Sequence, residues 1–238
     1  MKGTTRSYQL VLDHIESDLA AGQLVLGSRL PAERLLAERY GVSRASVREA
    51  IRVLEAMGLI RTAAGSGPEA GAVLISEPAA PMGSALRWHL ASRHLPVSDL
   101  VDARVLIESW ALREAAGRRI GSGADLDPAR SLLAEMDAPE LSPDEFLLLD
   151  TSFHVTLTAC AGNVVVAAMM SAMRRGIEGY VTAAVGGLPD WPATATLLRE
   201  QHAAIVEAVA TGDPDRAAAL VSAHIIGFYA STGIGRAG

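Results

Sequence analysis

The chain lacks most of the residues that announce a particular chemistry. It has one cysteine, Cys160, so no internal disulfide can form and no cysteine pair exists to hold zinc or cycle as a dithiol. Aromatic residues make up 4% of the 238 positions, and lysine occurs once, at Lys2, against twenty arginines. No uncharged apolar run reaches the roughly 18 residues that a membrane-spanning helix needs. Asp13 interrupts the N-terminal stretch where a signal peptide has its apolar core. These absences predict a cytoplasmic globular protein.

What is present is 50% hydrophobic and 20% charged, with a net charge of −6, an ordinary globular composition. Taken whole, that charge argues against nucleic acid as a partner. It is unevenly spread, however. Residues 1–75 balance at +1 and residues 76–238 at −7. The change falls at Ser76-Glu77-Pro78-Ala79-Ala80-Pro81, where each proline removes a backbone donor and restricts its predecessor. The expected organisation is a small domain over 1–75, a linker over 76–82 and a larger domain over 83–238.

In the first domain, Tyr8, Val11, Leu12, Ile15 and Leu19 recur at helical spacing before Gly22. Pro31 suits the first turn of a second helix carrying Leu35, Leu36 and Tyr40, which Gly41 ends. Ser43 is a good N-cap for a third helix with Val47, Ile51 and Leu54 on its buried stripe. Two helices separated only by Gly41 and Val42 make a helix-turn-helix. Arg44 and Arg48 share one face of the third helix, with Ser46 close by. Forked arginine donors and short hydroxyls suit guanine edges and phosphates in a major groove, and Arg34 on the preceding helix could reach a phosphate. The same spacing also describes an amphipathic helix with a solvated arginine face. A strand at Gly58–Thr62, a turn at Gly65-Ser66-Gly67-Pro68 and a returning strand at Ala72–Ile75 complete a winged helix.

Leu30-Pro31-Ala32-Glu33-Arg34-Leu35-Leu36-Ala37, Gly41-Val42-Ser43-Arg44-Ala45-Ser46-Val47-Arg48-Glu49-Ala50 and Leu54-Glu55-Ala56-Met57-Gly58-Leu59-Ile60 resemble the winged-helix domain of the GntR family of bacterial transcription regulators. The resemblance implies DNA contacts at Arg34, Ser43, Arg44, Ser46 and Arg48, with Gly65 and Gly67 at the wing tip. The wing departs from the family pattern, with Ala63-Ala64 where polar or basic residues are usual and Glu69 added.

Residues 83–232 are patterned as helices throughout, over roughly 83–93, 97–119, 126–136, 142–161, 164–185, 192–211 and 213–231, an all-α bundle of six or seven helices. The fold class is therefore mainly α with a small β-hairpin. His89 and His94 read as surface residues. Asp150 and His154 stand i, i+4 on one face of an apolar helix, and His202 and His224 each lie in an apolar helix of their own. Such histidines can be core residues with one satisfied hydrogen bond. They can equally be ligands, since a cation offsets the several kcal/mol that an unpaired buried carboxylate costs. Imidazoles with one carboxylate suit Zn²⁺, Ni²⁺, Mn²⁺ or Fe²⁺.

Asp150-Thr151-Ser152-Phe153-His154, Ala161-Gly162-Asn163, Glu200-Gln201-His202-Ala203-Ala204-Ile205-Val206-Glu207-Ala208, Gly212-Asp213 and Ala223-His224 resemble the FCD ligand-binding domain, which marks the FadR subfamily. By that resemblance Asp150, His154, His202 and His224 hold a divalent metal, often zinc, inside the bundle. Asp102-Ala103-Arg104-Val105-Leu106-Ile107-Glu108 resembles the arginine-bearing helix of the same family, and Arg104 there could hold a carboxylate effector bidentately. The alternative for Arg104 is a surface ion pair with a nearby aspartate. The combined expectation is a homodimeric repressor, not an enzyme, that binds operator DNA and responds to a small carboxylic acid near a metal. Two other readings stay open: the metal itself as the signal, and a metal-dependent enzyme using the same four residues.

Overall fold

The computed structural model describes residues 7–63, 71–119, 125–138 and 141–233. The chain divides into two compact units, residues 1–81 and 82–238, each with its own apolar core.

The first unit contains α1 (Ser7–Ala20), α2 (Glu33–Tyr40), α3 (Arg44–Ala56), β1 (Ile60–Ala63) and β2 (Gly71–Leu74). Val11, Ile15, Leu36, Val47, Ala50, Leu54, Ile60 and Leu74 form its core, which joins the stripes of three helices to the hairpin. Gly41 closes α2 in the left-handed conformation, φ 66°, and Ser43 caps α3 by accepting from the Ser46 amide. The strands pair antiparallel with Ile60 opposite Leu74. Arg29 bridges to Val73 on the far side of β2, and Leu30 donates to the Ala72 carbonyl. Pro31, expected in the first turn of α2, instead lies outside that helix, which begins at Glu33 after the N-cap Ala32. Its missing N–H falls just after the last bonded residue of this extended segment, where no donor is required. Gly58 joins α3 to β1 at φ 72°, and a Cβ there would meet the Glu77 carbonyl oxygen at 2.4 Å, so only glycine fits.

The second unit is all helical: α4 (Ala79–Ala91, whose first turn lies before the division), α5 (Val97–Arg119), α6 (Asp127–Met136), α7 (Pro143–Ala159), α8 (Val164–Val185), α9 (Trp191–Ala210) and α10 (Pro214–Thr232). Helix α4 begins inside the Pro/Ala stretch expected as linker, because Pro81 sits in its first turn, where proline costs no hydrogen bond. The helix starts have clear chemical causes. Ser142 and Glu145 form a reciprocal capping box before α7, and Asn163, Asp190 and Asp213 each accept amides at the starts of α8, α9 and α10. Gly83 lets α4 approach α8, since a Cβ there would lie 2.9 Å from the Ala172 carbonyl oxygen. Helix α5 packs along α10 and against α7, α8 and α9, while α7 lies between α6 and α8. The α7, α9 and α10 faces that carry Asp150, His154, His202 and His224 all point into this bundle.

Candidate metal centre and nucleic-acid interface

One turn of α7 presents both Asp150 and His154, α9 adds His202 and α10 adds His224, and all four are buried. His202 Nε2 lies 3.2 Å and His154 Nε2 3.6 Å from Asp150 Oδ1. His154 Nε2 and His202 Nε2 lie 3.2 and 3.3 Å from His224 Nε2. Three imidazole nitrogens and one carboxylate oxygen therefore converge on one point. Tetrahedral zinc with ligands about 2.0–2.1 Å away has donor–donor edges of roughly 3.3–3.4 Å, which the four separations bracket. The donor set and its spacing fit a divalent transition metal.

The outward-facing atoms of these ligands are held in turn. His154 Nδ1 meets Glu108 Oε2 at 2.5 Å, and His224 Nδ1 donates to Gln201 Oε1 at 2.8 Å. A hydrogen on each Nδ1 leaves both Nε2 lone pairs directed at the shared point. His202 Nδ1 is buried without a partner. Asp150 turns its second oxygen to Arg174, which also donates to Thr151 Oγ1 at 2.9 Å. Glu108 is in turn paired with Arg104 at 2.8 Å, and Arg104 donates to the Tyr229 hydroxyl at 2.7 Å.

The electrostatics follow from burial set against these pairings. Burial alone pushes Asp150 and Glu108 up. The Arg174 and Arg104 guanidiniums, aided by His154, outweigh it, so Asp150 lies well below the usual carboxylate range and Glu108 at about 2. Burial disfavours charge on all three imidazoles. At His154 the Glu108 and Asp150 carboxylates overcome it and raise the pKa, whereas at His202 and His224 burial wins and lowers it. The neutral form thus favoured at His202 and His224 is the one that ligates metal.

Arg104 is 2% exposed and lines a cavity of about 10 Å³ together with Asp150, His154, Arg174, His224 and Tyr229. Its partner is Glu108 rather than a surface aspartate. Glu108 and Arg174 were not expected at the site. Arg174 did leave a signal, since it stands on the stripe of Met170, Ile177 and Val181, where a solvated arginine does not belong.

On the first unit, Ser43, Arg44, Ser46 and Arg48 come together at the N-terminal half of α3. Arg44 and Arg48 are exposed. Ser43 Oγ is 2.9 Å from Ser46 Oγ as well as capping the helix. Arg48 forks onto Glu33 at 2.9 and 3.4 Å, and Arg34 pairs with Glu38 at 2.7 Å. Arg44 has no ion-pair partner among the described residues. Gly65 and Gly67, expected at the wing tip, lie outside the described residues. Among those residues no helix is long and apolar enough to cross a membrane.

Comparison with known proteins agrees with both halves. Residues 7–69 match the bacterial regulatory proteins of the gntR family, and residues 99–227 match the FCD domain. The Glc operon transcriptional activator of Escherichia coli K12 is 30% identical over 207 residues, covering 84% of this chain and 79% of the relative. The HTH-type transcriptional regulator LutR of Bacillus subtilis is 29% identical over 205 residues, covering 86% and 91%. In fold, the chain is similar to the solved structure of Streptococcus agalactiae GntR, with a TM-score of 0.63, 22% identity, and coverage of 94% of this chain and all of that one. The chain belongs to the gntR family of bacterial regulatory proteins: it is a DNA-binding transcriptional regulator with an FCD effector-binding domain, and not an enzyme.

Proposed function

We propose that the protein is a cytoplasmic, homodimeric repressor of the FadR subfamily whose operator affinity is set by a small carboxylic acid bound near a divalent metal, most simply zinc. The observation that carries this reading is the convergence of Asp150 Oδ1 and three imidazole nitrogens at near-tetrahedral edges in a buried position. A cation there would add to the positive charge that Arg174 already gives the buried Asp150 and could take a ligand oxygen by expanding beyond four ligands. Arg104 lines the same cavity, and its bonds to Glu108 and Tyr229 leave part of its five-donor capacity for an incoming carboxylate. The organisation proposed is a DNA-reading domain over 1–75, a connection over 76–82 and the effector and dimerisation domain over 83–238.

On the DNA side, Arg44 and Arg48 at the start of α3 enter the major groove, Ser43 and Ser46 lie close to the phosphates, and Arg34 steadies the backbone. The amide end of α3 adds a favourable partial charge toward phosphate. Gly65 and Gly67 would let the wing approach the groove. A dimer places two such helices at half-sites about 34 Å apart. Effector changes operator affinity only as far as it binds the two bundle arrangements differently.

Elemental analysis of the purified protein together with a gel-shift titration tests this directly. The expected result is one metal per chain and operator release on adding a small carboxylic acid. Metal-free protein, or operator affinity indifferent to every acid tried, overturns it. A reporter that falls when the regulator is removed would replace repression by activation, the sign in the name of the Escherichia coli relative. The cavity of about 10 Å³ beside the cluster favours a second reading, because it holds no more than a water molecule. In that reading the metal alone is the signal, and operator binding titrated against free metal with no organic acid separates the two.

A further inference from the structure

A second, surface-open cleft of about 250 Å³ lies between α7 and α8. The buried part of its lining is Leu147, Ile177, Val181 and Arg174, and the exposed part includes Asp144 and Glu178. Arg174 is 5% exposed, and its NH2 nitrogen is taken by Asp150 and Thr151. Its Nε is buried with no partner, an unmet donor that a bound acceptor would satisfy. Glu178 stands one turn beyond Arg174, at the i, i+4 spacing that favours an ion pair. The pair does not form, because Arg174 is turned inward to Asp150. Neither Asp144 nor Glu178 has an ion-pair partner among the described residues.

The cleft thus has Arg174, whose buried Nε has no partner, in its lining, two unpaired carboxylates at its mouth and an apolar wall between. A simple anion must pass both carboxylates, and a simple amine leaves Arg174 Nε unsatisfied. A molecule carrying both charges on neighbouring atoms meets every group. The volume falls below the roughly 300 Å³ at which pockets take drug-sized ligands, so the occupant is small. We propose that this cleft binds a small aliphatic amino acid, with its carboxylate on Arg174, its ammonium at Asp144 and Glu178, and its side chain over Leu147, Ile177 and Val181. The proposal rests on the reading of this domain as a ligand sensor but not on the metal.

Isothermal titration of the full chain with L-leucine, 4-methylpentanoate and 3-methylbutylamine tests it. Leucine is expected to bind, with the two analogues each weaker by about tenfold or more, the loss of one charged hydrogen bond. Asp144→Asn with Glu178→Gln alters only exposed side chains, so circular dichroism should report an unchanged fold. Leucine affinity should fall by at least about tenfold in that variant while 4-methylpentanoate is not weakened. Leucine binding should survive EDTA, which separates this cleft from the metal centre. Absence of heat with leucine, equal binding of 4-methylpentanoate, indifference to the double substitution, or loss of leucine binding in EDTA each overturns the proposal.

Discussion

Glu108 holds His154 by its Nδ1 at 2.5 Å while its other oxygen takes the Arg104 guanidinium at 2.8 Å. Through that carboxylate, α5 fixes the ring orientation of a residue on α7. Glu108→Gln would leave Arg104 buried without a counter-charge, and breaking such a pair costs about 3–5 kcal/mol. It would also replace the carboxylate that holds the His154 ring with a weaker amide acceptor, and weakening an outer-shell partner lowers metal affinity, by up to about 10–100-fold when the partner is lost. Urea unfolding and competition with a coloured chelator measure the two effects separately. Unchanged metal affinity in a folded Glu108→Gln protein would remove Glu108 from the metal centre.

His202→Ala should abolish stoichiometric metal and leave the DNA-binding unit intact. The side chain is fully buried, and it supplies a nitrogen 3.2 Å from Asp150 Oδ1 and 3.3 Å from His224 Nε2. The helix-turn-helix core shares no residue with this cluster. Elemental analysis beside a gel shift checks both halves. A full complement of metal in the variant would break the four-ligand assignment.

The helices could be read from the amino-acid order because their causes are local, whereas the grouping of Asp150, His154, His202 and His224, with 70 residues between His154 and His224, came from the resemblance to the FCD domain. Asn163, Asp190 and Asp213 cap the helices where the apolar periodicity restarts, and Asp150 with His154 shares a face at any helical spacing. Arg174 and Glu108 escaped because their partners are distant in sequence and the resemblance assigned neither of them a role. The Asp150–Arg174 pair spans 24 residues and the Glu108–His154 contact spans 46, so each becomes visible only when α7 packs against its neighbours. Arg104 shows the same effect in another form. The alternative expected for it was a surface aspartate, but its partner is Glu108 at i, i+4, and that pair faces the core because α10 brings up Tyr229. Pro31 and Pro81 mark a different gap: proline shows that a helix boundary is near without showing on which side it falls.

Arg48→Ala separates base reading from backbone contact. Arg48 is exposed, and Glu33 holds its guanidinium in a forked pair that orients the side chain and raises its pKa through hydrogen bonding and charge. If it reads a base, the substitution should cost about 1–3 kcal/mol of operator affinity and relax preference at one position. Binding measured on operator and random duplex at several salt concentrations decides the matter. A loss equal on both duplexes, with a shallower salt slope, would assign Arg48 to phosphate.

The α1–α2 junction makes stability fall at high pH. Tyr40 donates to Asp18 at 2.7 Å, Arg39 donates to the same carboxylate at 3.1 Å, and the His14 ring stacks on Tyr40 at 4.7 Å. Burial, then the Asp18 bond and charge, push the Tyr40 hydroxyl up from 10 to about 12. The folded protein therefore holds this proton more tightly than the unfolded chain, so the contribution is complete below pH 10 and is lost as pH rises toward 12. Tyr40→Phe should cost about 1 kcal/mol near neutral pH, the net value of one hydrogen bond, reduced by the partial exposure of the ring. Between pH 10 and 12 the variant should lose less stability than the parent, so that the two urea midpoints converge. A constant gap between them across that window would show that Tyr40 does not titrate there.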